Sequence, residues 1–178
     1  MRPNYAAQIR ALPDDALEEF VEDWLAQRKK EYHSHELWRG TGDMGRDVTG
    51  YVTDRRLEGR WDNFQCKQLS RALSMPSVLV EMGKIFMHSA NGEFSLPRAY
   101  VFVAPRGVQR AVQSSLAHPE QMRQTFVSQW DDSISAKLIE KQVVSLTPSI
   151  KTKIEAFDFK QVSWFDANRL VNDRACMP

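Results

Sequence analysis

Three observations predict an α/β fold in which a mixed β-sheet is flanked by helices. An amphipathic helical pattern opens the chain, and two alternating stretches joined by a polar turn follow it. Beyond a second helical pattern comes the compact apolar run Tyr100, Val101, Phe102 and Val103, which suits a strand covered on both faces. Helices interleaved with strands in this order pack as layers about one sheet.

Over residues 13–31, Leu17, Phe20, Val21, Trp24 and Leu25 recur at intervals of three and four, so they share one helical face. Pro13, Asp14 and Asp15 suit its start, where a fixed φ and negative charge match the exposed N–H groups. Residues 35–39 read as a short strand and 40–45, with Gly40, Gly42 and Gly45, as a turn. From 46 to 53, Val48, Gly50 and Val52 point one way and Asp47, Thr49 and Tyr51 the other. Residues 54–61 form a hairpin loop leading to a strand over 63–68, with Phe64 and Cys66 on one face and Gln65 and Lys67 on the other. A helix over 75–89 buries Val78, Leu79, Met82, Ile85 and Phe86, and Pro105 ends the strand over 99–104. Helical patterns are read at 107–116, 119–130 and 133–144, a last strand at 162–165 and a short helix at 166–171.

A chain of 178 residues buries a core without covalent staples. Its two cysteines, Cys66 and Cys176, have neither disulfide-framework nor zinc-site spacing and read as free thiols. No apolar run approaches the roughly 18 residues that span a bilayer, so no membrane partner is expected. Acidic residues interrupt the N-terminus where a secretory signal would be apolar, and a cytoplasmic location is the expectation. A net charge of +1 sets the chain apart from strongly basic nucleic-acid binders. Any such affinity must come from local patches: Arg55, Arg56 and Arg60 in one turn, Arg106 with Arg110, or Lys29 with Lys30.

The chemistry centres on the two alternating strands. An antiparallel hairpin sets facing residues roughly 5 Å apart, so Asp47 faces Gln65 and Lys67. A carboxylate and an amide oxygen suit a hard divalent cation such as Mg²⁺. Lys67, on the same face, is placed to act on the attacking water or on the charge that develops at a phosphate. Lys67 in an otherwise apolar strand has no evident structural partner.

These residues resemble the PD-(D/E)XK nuclease superfamily, and within it the Mrr-like domains that carry Gln in place of an acid. The segments concerned are Gly42-Asp43-Met44-Gly45-Arg46-Asp47 and Gln65-Cys66-Lys67, preceded by Leu17-Glu18-Glu19-Phe20-Val21; the later run Tyr100 to Pro105 resembles the next core strand. The resemblance covers roughly residues 14–110 and implies a restriction-endonuclease-like fold for a single nuclease domain over 1–178, with 111–178 as a C-terminal extension. It further implies catalysis by Asp47, Gln65, Lys67 and Glu18, with Glu19 as the alternative register. Asp47, Gln65 and Glu18 would ligate Mg²⁺, with Mn²⁺ as substitute, and Arg55, Arg56 and Arg60 would contact DNA, double-stranded by the same resemblance. Similar domains are the cleaving modules of bacterial anti-phage effectors joined to a separate sensor, so a sensor domain or partner protein and self-association are further expectations. Gln65 lowers the negative charge of such a site, which leaves a second reading: a catalytically silent nucleic-acid-binding or protein-interaction domain on the same fold.

Other residues read more simply. His33 and His35 lack a second pair to complete a metal site. Trp61 and Tyr51 are core residues or, near the proposed site, braces for a nucleic acid. Cys66 faces the core and lacks the partners of a nucleophile.

Overall fold

A computed structural model describes residues 4–40 and 42–173. Among them five strands form one sheet in chain order: β1 (Ser34–Leu37), β2 (Val48–Tyr51), β3 (Trp61–Cys66), β4 (Ala99–Val103) and β5 (Val162–Phe165). The first three pair antiparallel and the last three parallel, so the sheet is mixed. The helices are α1 (Tyr5–Ala11), α2 (Asp14–Ala26), α3 (Met75–Ala90), α4 (Arg110–Leu116), α5 (Pro119–Ser128), α6 (Pro148–Ala156) and α7 (Ala167–Asn172). The fold is therefore α/β, as the sequence predicts, and none of the described helices is long and apolar enough to cross a membrane.

Strand alternation divides the core. Val48, Phe64, Cys66, Val101 and Val103 face α2, whose Leu17, Val21, Trp24 and Leu25 are buried with Ile9 of α1 and Leu170 of α7. Tyr51, Trp61, Tyr100 and Phe102 face the other way, against the α3 stripe and Phe126, Ile150 and Ile154. Burying each large apolar side chain contributes about 1.5–3 kcal/mol, so the sheet is fixed from both sides.

Several expectations change. The helix expected to run to 31 ends at Ala26, and the chain turns back so that Tyr32 lies across β2. Gly50 admits that ring, because a Cβ there would lie 2.6 Å from it. No helix runs over 133–144: after α5 a π-helical turn (Trp130–Ile134) gives way to turns, with Lys141 at φ +60°. The apolar spacing of Ile134 and Leu138 serves a different purpose, since both press on Gly83 of α3. Helices α1 and α6 were not anticipated, although Thr147 caps α6 through the Ile150 N–H and Pro148 occupies its first turn. Trp61 and Tyr51 are 0% and 1% exposed, so they cannot stack on a nucleic acid. Cys66 is buried and free, whereas Cys176 lies outside the described residues, as does Thr41 of the glycine-punctuated turn.

Candidate active site at the end of β3

The turn before β2 positions Asp47. The Asp43 carboxylate accepts the Gly45 N–H at 3.0 Å, and the Arg46 N–H reaches the Asp43 carbonyl at 3.0 Å. Gly45 adopts φ +83° and touches α3 so closely that a Cβ would lie 2.8 Å from the Lys84 Cβ, so both conformation and space demand glycine. The guanidinium of buried Arg46 stacks 3.9 Å over Trp38 and 4.6 Å over Phe94, which anchors the turn from the other side.

Since Val48 pairs with Phe64, Asp47 falls opposite Gln65 one step beyond. Its Oδ2 accepts the Gln65 Nε2–H and the Cys66 backbone N–H, both at 2.7 Å. Gln65 is fully enclosed, with the Tyr100 hydroxyl donating to its Oε1 at 3.4 Å. Burial raises the Asp47 carboxyl pKa to about 7, despite the opposing effects of Lys67 and the Cys66 N–H; Glu18 and Glu81 push it further up. Lys67, just past β3, places its Nζ 2.9 Å from the Glu81 Oε1 of α3, and the Lys84 Nζ lies 3.2 Å from the other Glu81 oxygen.

Glu18 of α2, Asp47, Cys66 and Lys67 line a cavity of about 230 Å³. Burial pushes the Glu18 carboxyl up against the lowering influence of Arg39, while Glu19 points outside and pairs with Arg39. Thus Glu18, and not Glu19, shares the cavity with Asp47. Gln65 stands behind Asp47 and supports it, with the amide nitrogen forward.

Arg55, Arg56 and Arg60 are not brought to this cavity. They occupy the hairpin loop beyond the Tyr51–Trp61 pair, four register steps or about 13 Å along the strands from Asp47. Arg56 is ion-paired with Glu36 and stacks on Tyr51. His35 lies 3.6 Å from Glu22 and, among the described residues, joins no metal-binding group. The residue that sequence reasoning missed is Glu81, which overturns the expectation that Lys67 lacks a structural partner. Its signal was an acid set within the apolar stripe of Val78, Met82 and Ile85.

Among the described residues no three His, Cys, Asp or Glu side chains converge as a metal site. The oxygen-bearing side chains that line the cavity include Asp14, Glu18 and Asp47, beside the end of β3. The Cys66 N–H points to Asp47, and strand geometry sends its carbonyl toward the same side. Mg²⁺ is commonly held by one or two carboxylates with waters completing its shell, so this oxygen set fits that ion. Compared with family models, curated proteins and solved structures, the chain matches none of them.

Proposed function

We propose that the chain is a Mg²⁺-dependent endonuclease that hydrolyses phosphodiester bonds of double-stranded DNA on a restriction-endonuclease-like fold, as the cleaving module of a bacterial defence or restriction system. The observation that carries this reading is the meeting of Glu18, Asp47 and Lys67, from three separate elements, in one open cavity. The raised Asp47 pKa supports it, because a carboxylate kept this costly without a cation is the kind of group that functional sites retain.

In this reading Asp47 and Glu18 hold the ion, with the Cys66 carbonyl beside them, and Gln65 fixes the Asp47 rotamer through its amide. Bound there, Mg²⁺ would lower the pKa of a water and offset phosphate charge. Lys67 faces the negative charge that develops as water adds to phosphorus and a P–O bond breaks. Glu81 positions Lys67 and, being a carboxylate itself, limits how far the ammonium swings.

The second reading, a silent binding or interaction module, draws on one observation: Asp47 and Lys67 already have partners in Gln65, Cys66 and Glu81 without a cation. Incubation of supercoiled plasmid with the chain separates the two. Nicking or linearisation in Mg²⁺ or Mn²⁺ that Lys67→Ala removes supports the nuclease. Undiminished cleavage by Lys67→Ala refutes the assignment, and no cleavage by the unaltered chain in either metal favours the silent module.

A further inference from the structure

Beyond Lys67 the Asp47 cavity adjoins another, of about 280 Å³, and both Lys67 and Leu69 line the two. Its far walls are Ser77 in the first turn of α3, Glu81, and Lys137 from the turns that replace the expected helix over 133–144. Ile134 and Leu138, docked on Gly83, hold those turns against α3. Lys137 is thereby fixed at its base, while its exposed side chain has no partner among the described residues.

The two cavities carry opposite charge. Around the first, Asp14, Glu18 and Asp47 outnumber Lys67, and outside it α2 adds Asp15 and Glu19 against Arg39. Lining the second, Lys67 and Lys137 stand against Glu81, whose carboxylate already meets Lys67 at 2.9 Å and Lys84 at 3.2 Å. Other acids near Lys137 in sequence do not offset it: Glu140 lies 3.6 Å from Lys141, and Asp131 and Asp132 line neither cavity. A polyanionic strand laid over Lys67 is therefore repelled along α2 and attracted across the start of α3.

We propose that this second cavity seats the sugar–phosphate backbone next to the scissile phosphate, with Lys137 binding a phosphate and Leu69, 37% exposed, lying against a sugar. The identity of the strand rests on the nuclease reading; its course rests on the charges around Lys67. Ser77, whose hydroxyl lies 3.1 Å from that of Ser74, adds a polar group to the same wall. An ammonium meets phosphate as a point charge and reads no base, so the contact is independent of sequence and sensitive to salt.

Lys137→Ala alters an exposed position and keeps the fold. Fluorescence anisotropy of a labelled DNA duplex of about 20 base pairs, in chelator and over a salt series, should show affinity reduced about fivefold and the slope of log K against log salt reduced by about 1. Lys151→Ala, exposed on α6 and lining neither cavity, should match the unaltered chain in both. In Mg²⁺, single-turnover cleavage by Lys137→Ala should need about fivefold more protein for half its maximal rate, with the plateau within about twofold. Binding needs no catalysis, so the two readings part. A chain that binds without cleaving, and whose salt slope falls in Lys137→Ala, supports this backbone site and favours the silent module over the nuclease. A cleaving chain whose affinity and slope are unaltered by Lys137→Ala overturns the site and leaves the nuclease standing. Equal losses in Lys137→Ala and Lys151→Ala, a lowered plateau with affinity kept, or no duplex binding by the unaltered chain would each overturn it as well.

Discussion

The ammonium of Lys67 and the carboxylate of Glu81 lie 2.9 Å apart, tying the end of β3 to α3 at the rim of the cavity that holds Asp47. The pair is partly exposed, so its net contribution to stability is about 1 kcal/mol or less, and its chief consequence is where it holds Lys67.

Glu81→Gln therefore keeps the fold and loosens Lys67. Single-turnover cleavage of DNA should fall about tenfold in Glu81→Gln but about a hundredfold or more in Lys67→Ala, because only the second removes the charge that meets the phosphate. Equal losses in the two variants would show that Lys67 acts only through its partner.

Asp47 makes stability depend on pH. Its folded pKa of about 7 lies above the ordinary value of 3.8, so its favourable contribution is complete below about pH 4 and is lost as pH rises through about 7. Asp47→Asn removes the buried charge and keeps an oxygen for the Cys66 N–H. In chelator, urea unfolding should show the variant gaining on the unaltered chain by about 1–3 kcal/mol between about pH 5 and pH 8. A difference that does not change with pH would contradict the assignment.

Divalent cation should reverse that cost. Saturating Mg²⁺ or Mn²⁺ is expected to raise the thermal midpoint by a few degrees through ligand linkage, more strongly at about pH 8 than at about pH 6. Glu18→Gln should reduce the shift and Asp47→Asn abolish it. Glu19→Gln, altering a residue outside the cavity, should leave it intact.

Gly45→Ala tests the turn that aims Asp47. The substitution meets both a left-handed backbone at φ +83° and a contact of 2.8 Å with Lys84, so a loss of about 1–3 kcal/mol is expected by chemical denaturation. Gly42→Ala, where a Cβ meets nothing, should cost well under 1 kcal/mol.

What the sequence revealed and what it hid have the same physical origin. Period-two alternation over Phe64, Gln65, Cys66 and Lys67 is local, so the faces of β3 and the approach of Asp47 to Gln65 were legible from spacing alone. The α2 stripe was legible for the same reason, and it carried Glu18 with it. The Lys67–Glu81 pair joins residues that only the packing of α3 brings together, and no local period reports it. The expected helix over 133–144 does not form, and Ile134 and Leu138 within it dock on Gly83, a contact set by the packing of α3 rather than by local spacing. The loop arginines clustered in sequence, yet strand length carries them to the opposite end of the hairpin from Asp47.

The proposed function requires Asp47 and Glu18 together to hold a divalent cation beside Lys67. A crystal soaked in Mn²⁺ and measured for anomalous scattering tests it most directly. A peak between the two carboxylates is expected, with oxygen distances of about 2.0–2.3 Å, and it should disappear in Asp47→Asn. A soaked crystal with no peak in this cavity, and with the Gln65 amide still seated on Asp47, would contradict it.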